Sequence, residues 1–272
     1  MNKSSIAFIG AGNMAGSLIG GLVQKGCQKK SLYISDPSVE QRQRLVSEYG
    51  VNECEDNSQA VSHADVLVLA VKPQVMKIVL EDIKEAVAKK PILIISIAAG
   101  IPMATFSSVL GDSAAVVRCM PNTPSLVGVG ATGMIASSTV SDSQKALAEQ
   151  VLGAVGIALW VSSEAQIDAV TALSGSGPAY FFLLMESMIA AGESLGLDTE
   201  TAKQLTLQTA LGAATMAQQS DVSPATLRQR VTSPGGTTEQ ALQTFEKGGF
   251  QSLVGAALNA ADKRSKELAE LT

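Results

Sequence analysis

The chain has 272 residues, of which 46% are hydrophobic and 17% charged, a balance typical of a soluble globular protein with a sizeable core. Its formal net charge of −5 provides no sustained basic surface, so we expect no nucleic-acid partner. Three cysteines spaced far apart and one histidine make no metal-binding pattern. We therefore expect no metal site, reduced cysteine thiols and a cytoplasmic location.

Two apolar segments resemble membrane signals at first sight. The N-terminal segment is interrupted by Gly10 and Gly12, whereas a signal peptide needs a continuous apolar centre. The segment Ala179 to Leu197 contains Glu186 and Glu193, which favours a buried helix over a membrane span. The sequence therefore predicts no membrane partner.

The first predicted strand, Ile6 to Ile9, runs directly into the pattern G-x-G-x-x-A, from Gly10 to Ala15. In this pattern the first glycine permits a tight turn, and the second lets the backbone approach a pyrophosphate. The small third residue lets the next helix pack on its strand. The start of that helix offers unpaired N–H groups and a dipole that favours phosphate. The pattern therefore predicts a nicotinamide or flavin dinucleotide site, with an ordinary glycine-rich turn as the alternative.

The second predicted strand, Ser31 to Ser35, ends at Asp36 and Pro37. Asp36 lies close to the position where an acidic residue binds the adenosine ribose and favours NAD over NADP. It can equally cap the next helix, with Pro37 at the first helical position. Both roles remain open, and Ser35 and Ser38 leave room for a 2′-phosphate.

Three further apolar runs are predicted as strands buried on both faces of a parallel sheet: Val66 to Val71, Pro91 to Ile97 and Ala114 to Met120. Ligands of such sheets bind at the carboxyl ends of the strands. Lys72 follows the first of these strands, and it either faces this ligand crevice or is a solvated surface lysine. The small pair Ala98-Ala99 follows the second strand and leaves room for a cofactor.

The third of these strands leads into a loop with two prolines, Pro121 and Pro124. Each proline disfavours helical backbone in the residue before it. We therefore expect Asn122 and Thr123 to lie in an extended loop, where their polar side chains can reach a ligand.

The remaining pattern divides the chain into two domains. A strand at Gly128 to Ala136, a helix at Ser141 to Leu152 and a strand at Ile157 to Val161 complete the first part, and only helical patterns follow. We predict an α/β fold class: an N-terminal Rossmann-type dinucleotide-binding domain, residues 1–162, followed by an all-α C-terminal domain, residues 163–272. Breaks between the later helices are expected at Leu173 to Pro178, Gly196 to Asp198, Asp221 to Pro224, Ser233 to Gly236 and Gly248-Gly249.

The helical half lacks an obvious proton donor, because it contains no histidine and the helix after Pro178 carries no lysine. Reduction of a ketone needs such a donor for the developing alkoxide. An imine does not, because its nitrogen is protonated before the hydride arrives. The sole histidine of the chain, His63, lies before a predicted strand and is not expected to be catalytic. The pattern favours an imine over a carbonyl as the substrate.

The segment Val231 to Thr238 has parts that suit such a substrate. It combines two glycines with several hydroxyls, and a predicted helix follows it. Backbone N–H groups of such a loop can bind a carboxylate, and Thr238 can hydrogen-bond a ring nitrogen or a substrate oxygen. The alternative is a helix–helix turn with hydroxyl caps.

Five segments, in order along the chain, resemble those of the pyrroline-5-carboxylate reductase family. They are Phe8 to Met14, Ala70 to Pro73, Arg118 to Pro124, Leu173 to Tyr180 and Ser233 to Thr238. The last two are specific to that family. The resemblance implies reduction of L-1-pyrroline-5-carboxylate to L-proline by hydride transfer from NADPH, with NADH as a possible donor. This chemistry agrees with the missing proton donor.

The resemblance also implies site residues. The cofactor would contact Ile9, Gly10, Ala11, Gly12, Asn13, Met14, Ser35, Asp36, Asn57, Ala70, Val71, Lys72, Pro73, Ile97, Ala98 and Ala99. The substrate would contact Asn122, Val231, Ser233, Gly235, Gly236, Thr237 and Thr238, with Thr238 as the catalytic residue. Glu239 departs from the apolar residue that many members carry, and we expect its side chain to turn away from the loop.

Self-association is a further implication. Members of the family form homodimers through interlocking C-terminal helices, and many assemble five dimers into a decamer. The apolar helices after Gly177 exceed what a small bundle hides, which agrees with a dimer. Two other functions stay open: reduction of a six-membered cyclic imino acid, and nicotinamide sensing without turnover.

Overall fold

The computed structural model describes the backbone of residues 4–270 and the side chains of residues 4–269. The chain forms two compact units. The first extends to Ser176 and includes the residues from Ala261 onward, and the second is Gly177–Ala260. The units divide after Ser176, whereas the sequence prediction placed the domain boundary between residues 162 and 163, where the strand patterns end.

Within residues 4–270, eight strands form one sheet in the order β3-β2-β1-β4-β5-β6-β7-β8. The first six are parallel, whereas β7 runs antiparallel to β6 and parallel to β8. The predicted Rossmann-type fold is therefore confirmed, although β3 was missed because two residues carry no periodicity. The strands are β1 (Ile6–Ile9), β2 (Leu32–Ser35), β3 (Asn52–Glu53), β4 (Val66–Leu69), β5 (Leu93–Ser96), β6 (Ala115–Met120), β7 (Gly130–Ala136) and β8 (Gly156–Trp160).

Helices cover both faces of this sheet, so its strands are apolar on both sides. On β1, Ile6 and Phe8 join one core cluster, while Ala7 and Ile9 join the other. The first cluster includes residues of α1 and α6, and the second includes residues of α3, α4 and α5. The helices of this part are α1 (Asn13–Gln24), α2 (Val39–Tyr49), α3 (Asn57–His63), α4 (Met76–Ala88), α5 (Met103–Leu110), α6 (Asp142–Leu152) and α7 (Ala165–Val170).

The helical part contains α8 to α12, with the expected breaks near Gly196, Ser223, Gly235 and Gly249. Two of these helices begin at a side-chain cap: Asp198 caps α9 and Ser223 caps α10. The helices are α8 (Gly177–Ser194), α9 (Thr199–Gln219), α10 (Pro224–Arg230), α11 (Thr237–Lys247) and α12 (Phe250–Glu270).

The predicted break at Leu173 to Pro178 is wrong. The helical path continues there, because a π-helical turn at Thr171–Gly175 and a one-residue bend at Ser176 connect α7 to α8. The Ser176 N–H donates to the Thr171 carbonyl at 2.8 Å, which closes the wider turn. In sequence, a serine- and glycine-rich segment before a proline is typical of a helix end. In the structure, the Ser174 carbonyl, which Pro178 leaves without a donor, accepts a hydrogen bond from the Asn122 side chain.

The prediction of a buried apolar helix is also wrong for the single chain. The helical segment Ala165–Ser194 is long and apolar enough to cross a membrane by length and composition, and 17% of its most apolar window is buried. Phe181, Phe182 and Leu183 are all largely exposed. Since α8 is apolar around most of its circumference, packing on α9 leaves much of its surface uncovered.

The three cysteines, Cys27, Cys54 and Cys119, are buried and free of disulfide bonds. Burial raises the pKa of the Cys119 thiol, so this group stays neutral at physiological pH. Among the described residues, no group of three or more His, Cys, Asp or Glu side chains converges on a position for a metal ion.

Candidate active site

The glycine-rich loop after β1 lies directly against the end of β4. Gly10 has φ +99°, and a Cβ there would lie 2.5 Å from the Ala70 carbonyl oxygen. Only glycine tolerates both the backbone conformation and the contact. The Gly10 N–H donates to the Ser35 carbonyl at 2.8 Å, and the Ala70 N–H donates to the Ile9 carbonyl at the same distance. The ends of β1, β2 and β4 are therefore held together around the loop.

The start of α1 is open to an anionic ligand. Its N-cap residue is Gly12, and no described side chain caps it. A Cβ at Gly12 would meet no atom within 4 Å, so the space beside it is free. The N–H groups of Asn13, Met14 and Ala15 have no intrahelical acceptor by position. These donors and the helix dipole fit the pyrophosphate of a dinucleotide.

Asp36 plays a different part from the predicted helix cap. The N-cap of α2 is Ser38, whose hydroxyl accepts the Gln41 N–H, so the predicted cap at Asp36 is wrong. The Asp36 carboxylate instead accepts the Ala11 N–H through Oδ2 at 2.8 Å and the Ser38 N–H through Oδ1 at 2.7 Å. It therefore joins the glycine-rich loop to the end of β2. Each oxygen keeps a lone pair for a ribose hydroxyl.

The predicted adenosine residues Ser35 and Asn57 are in contact. The Ser35 hydroxyl donates to Asn57 Oδ1 at 2.8 Å, and Asn57 Nδ2 donates to Asp82 Oδ2 at 2.8 Å. Asp82 fixes the orientation of the Asn57 amide. Sequence reasoning missed Asp82, because it lies on an exposed turn of α4 and resembles any surface carboxylate.

The other predicted cofactor segments follow β4 and β5. Ala70, Val71, Lys72 and Pro73 continue β4, and Pro73 opens a short 3₁₀ turn before α4. The Ile97 N–H donates to the Leu69 carbonyl at 3.2 Å, which holds Ile97, Ala98 and Ala99 beside the β4 end. Lys72 is exposed at this edge.

The β5–α5 loop is anchored by an ion pair that sequence reasoning missed. Arg118 on β6 is only 3% exposed, and its guanidinium donates to Glu164 Oε1 at 2.6 Å. The same oxygen accepts the N–H of Met103, the first residue of α5, at 2.6 Å. A buried arginine needs such a partner. The pair therefore fixes the far end of the loop that carries Ala98 and Ala99.

Asn122 links the β6–β7 connection to the π-helical turn. Its Oδ1 accepts the Ala131 N–H at 2.8 Å, and its Nδ2 donates to the Ser174 carbonyl at 3.0 Å. Pro178 has no N–H, so Ser174 lacks the donor that an α-helix would supply four residues later. Asn122 supplies that donor and keeps one amide hydrogen for a ligand. Thr123 begins a 3₁₀ turn at Thr123–Val127, so only Asn122 has the extended backbone predicted for both residues.

The second unit contains the predicted substrate loop between α10 and α11. Gly235 has φ +71°, and the Gly236 N–H donates to the Ser233 carbonyl at 3.0 Å. Gly236 is the N-cap of α11, and no described side chain caps that helix. The alternative prediction, a helix–helix turn with hydroxyl caps, is therefore wrong for the start of α11. The N–H groups of Thr237 and Thr238 remain for an anion such as a carboxylate.

Glu239 does not turn away from this loop, so that expectation is wrong. Its Oε2 accepts the Gly235 N–H at 2.7 Å. Glu239 is the third residue of α11, and a glutamate at this position can reach back to N–H groups before the helix. The sequence signal for this contact is the glutamate at the third helical position, a residue type that often reaches back to the helix start.

Comparisons with known proteins cover both parts of the chain. Residues 164–268 match the family model for pyrroline-5-carboxylate reductase dimerisation. Residues 5–100 match the family model described as NADP oxidoreductase, coenzyme F420-dependent. The first match spans the loop between α10 and α11, and the second match spans the glycine-rich loop after β1.

Two full-length relatives carry the same name. The chain is 58% identical over 270 residues to a pyrroline-5-carboxylate reductase of Pseudomonas aeruginosa, covering 99% of this chain and 98% of the relative. It is 42% identical over 272 residues to the one from Vibrio alginolyticus, with both chains fully covered.

Solved structures agree. The pyrroline-5-carboxylate reductase of Coxiella burnetii superposes with a TM-score of 0.96 at 48% identity, covering 98% of this chain and 99% of that one. The pyrroline carboxylate reductase of Plasmodium falciparum, solved with NADP bound, has a TM-score of 0.86 at 33% identity, with 99% of each chain covered.

Proposed function

This chain belongs to the pyrroline-5-carboxylate reductase family, and we propose that it reduces L-1-pyrroline-5-carboxylate to L-proline, the last step of proline biosynthesis, with NADPH. The observation that carries the proposal is the 58% identity to the Pseudomonas aeruginosa reductase over nearly the whole of both chains. The solved relative with NADP bound supports the cofactor. The uncapped starts of α1 and α11, each of which follows a glycine-rich loop, agree with two anionic ligands.

The residues of the glycine-rich loop fit a dinucleotide. The N–H groups at the start of α1 would hold the pyrophosphate, and Ser35 with Asn57 would hold the adenosine end. Ala70 to Pro73 and Ile97 to Ala99 would border the nicotinamide crevice. When bound, NADPH supplies a hydride from its nicotinamide ring. NADH remains a possible second donor, since Asp36 keeps lone pairs for a ribose.

The substrate would use the loop of the second unit. In this proposal, the substrate carboxylate lies against the N–H groups at the start of α11, with Val231, Ser233, Gly235, Gly236 and Thr237 around it. The Thr238 hydroxyl would hydrogen-bond the ring nitrogen. The imine carbon gains the hydride and the nitrogen keeps its proton as the C=N double bond becomes a single bond, so placement is the protein's main contribution.

The direct test mixes the purified protein with pyrroline-5-carboxylate and either NADPH or NADH. We expect loss of reduced-nicotinamide absorbance together with formation of proline, and the two rates rank the cofactors. Turnover of only a six-membered cyclic imine, or cofactor binding without any turnover, would contradict the proposal.

The variant Thr238→Ala tests the proposed catalytic residue. We expect kcat to fall about 10- to 100-fold, the cost of one hydrogen bond to the reacting nitrogen, with little change in the KM for NADPH. The matched control is Thr244→Ala on the same helix, whose hydroxyl donates to the Gln240 carbonyl within α11. A kcat equal in the two variants would remove Thr238 from the mechanism.

The proposal extends to organisation and location. The match to the dimerisation model supports self-association, and we propose a homodimer as the working unit, with a decamer of five dimers as the larger assembly. Residues 1–162 would bind the cofactor, and residues 163–272 would bind substrate and dimerise. A cytoplasmic location suits an NADPH-dependent biosynthetic step.

A further inference from the structure

The contact between Glu239 and Gly235 gives the substrate loop a feature of its own. Glu239 lies in the first turn of α11 and is half-buried, and its Oε2 accepts the Gly235 N–H at 2.7 Å. The bond joins the helix back to the residue that precedes its N-cap. It is therefore a side-chain contact that ties the loop to the rigid part of α11.

Gly235 is the point of the loop that most needs such a tie. Its φ of +71° is available mainly to glycine, and a Cβ there would meet no atom within 4 Å. The space on that side of Gly235 is therefore open, and no neighbouring atom restrains the residue there. The neighbouring Gly236 N–H is held by the Ser233 carbonyl. The conformation of the turn thus rests on one backbone bond and on the Glu239 carboxylate.

The contact also decides which N–H groups are left for a ligand. The Gly235 N–H has its acceptor on α11, the Glu239 carboxylate, and the Gly236 N–H has its acceptor in the loop, the Ser233 carbonyl. The N–H groups of Thr237 and Thr238, in the first turn of α11, do not have intrahelical acceptors. Glu239 accepts the N–H of Gly235, which lies before the helix, and so the N–H groups of the first helical turn stay available to a ligand.

We propose that Glu239 is a positioning residue for the substrate, which holds Gly235 so that the first-turn N–H groups of α11 meet the carboxylate of a cyclic imino acid. This proposal rests on the proposed function. A negative charge this close to a substrate carboxylate also repels it, so ordering and repulsion act on KM in opposite directions. We expect the ordering of the loop to dominate. Solvent at the half-exposed Glu239 screens its repulsion of the substrate carboxylate, whereas loss of its bond to the Gly235 N–H frees the turn.

Two substitutions separate these effects. Glu239→Ala removes both the bond and the charge, and we expect the KM for pyrroline-5-carboxylate to rise about tenfold, with kcat within about twofold and an unchanged KM for NADPH. Glu239→Gln keeps an oxygen that accepts the Gly235 N–H, so we expect it to restore a KM close to that of the wild type. Steady-state kinetics on the full-length protein measures all three constants.

The matched control is Glu200→Ala, which removes an exposed carboxylate from the first turn of α9 in the same unit. It loses a comparable interaction with a helix dipole, and its carboxylate accepts a hydrogen bond from Gln204 within α9 rather than from the loop. A rise in KM with Glu200→Ala equal to that with Glu239→Ala would show a general effect on the helices, and would overturn the proposal. If Glu239→Ala does not fold, Glu239→Met removes the same bond and charge while keeping a side chain of similar length, and we expect the same rise in KM.

The remaining outcomes are decisive. An unchanged KM in Glu239→Ala would overturn the positioning role. A lowered KM in both Glu239 variants would overturn it too, because repulsion of the substrate would then outweigh the ordering of the loop. Failure of the wild-type protein to reduce pyrroline-5-carboxylate would refute the proposed function itself, and the role of Glu239 would be refuted with it. The wild-type rate and the variant-to-wild-type ratio therefore distinguish the two failures.

Discussion

At the scale of the residue, Asp36 shows that hydrogen-bond partners decide a role that position alone leaves open. Its place after β2 is equally compatible with a ribose ligand and a helix cap. The structure gives the cap to Ser38 and directs both Asp36 oxygens to backbone N–H groups, one of them on the glycine-rich loop. Asp36 is thus part of the support for the loop that holds the cofactor.

This role predicts the effect of Asp36→Ser. Loss of the Ala11 N–H bond loosens the loop for every dinucleotide, so we expect the KM values for NADPH and NADH to rise together, each about tenfold. Initial rates at varied cofactor concentration measure both. The control is Asp65→Ser, whose carboxylate accepts the Ser5 N–H before the strands begin. A gain for NADPH alone would show that the ribose contact of Asp36 outweighs its support of the loop.

At the scale of the element, Asn122 explains why a helix passes through a proline. A proline in a helix interior leaves the carbonyl four residues earlier without its donor. The Asn122 amide donates to that carbonyl, on Ser174, while its oxygen accepts the Ala131 N–H. One side chain thus joins the β6–β7 connection to the π-helical turn.

We expect Asn122→Ala to lower the free energy of unfolding by about 1–3 kcal/mol, because it leaves the Ser174 carbonyl and the Ala131 N–H without partners. Asn122→Asp should destabilise further, because a carboxylate would then face the Ser174 carbonyl. Urea unfolding followed by circular dichroism measures both. An unchanged unfolding curve with a raised KM for pyrroline-5-carboxylate would make Asn122 a substrate ligand without a structural role.

All the described strands except the two-residue β3, and most helices, were predictable from sequence, because buried parallel strands and amphipathic helices leave strong periodic signals. Helix ends carry local signals as well. At α6, Ser141 and Gln144 form a capping box, and the helix begins one residue after the predicted start. The π-helical turn was not predictable, because its stability depends on Asn122, which lies about fifty residues earlier in the chain.

At the scale of the whole molecule, the exposed apolar surface of α8 calls for a second subunit. Phe181 is 64% exposed in the single chain, and Phe182 and Leu183 are similarly exposed. A surface of this kind on an apolar helix marks an interface. The match of residues 164–268 to the dimerisation model agrees with a second copy of this chain as the occupant.

Phe181→Glu tests this interface. A buried and unpaired carboxylate costs several kcal/mol, so we expect the dissociation constant of the dimer to rise at least about 100-fold. Sedimentation equilibrium over a range of concentrations measures it. The control is Ile78→Glu, which changes an exposed apolar residue of α4, outside the residues that match the dimerisation model. Equal weakening by both variants would argue against α8 as the interface.

The sequence by itself determined the fold class and the two glycine-rich loops, and it favoured an imine over a carbonyl as the substrate. These follow from local pattern: periodicity, glycines at fixed spacing, and the residue types present in each half. Tertiary structure alone decided the partners of Asp36, Asn57, Asn122 and Arg118. Those contacts join residues distant in the chain, so no local pattern encodes them. Glu239 lies between these cases, since its partner Gly235 is only four residues away but the direction of its side chain depends on the turn.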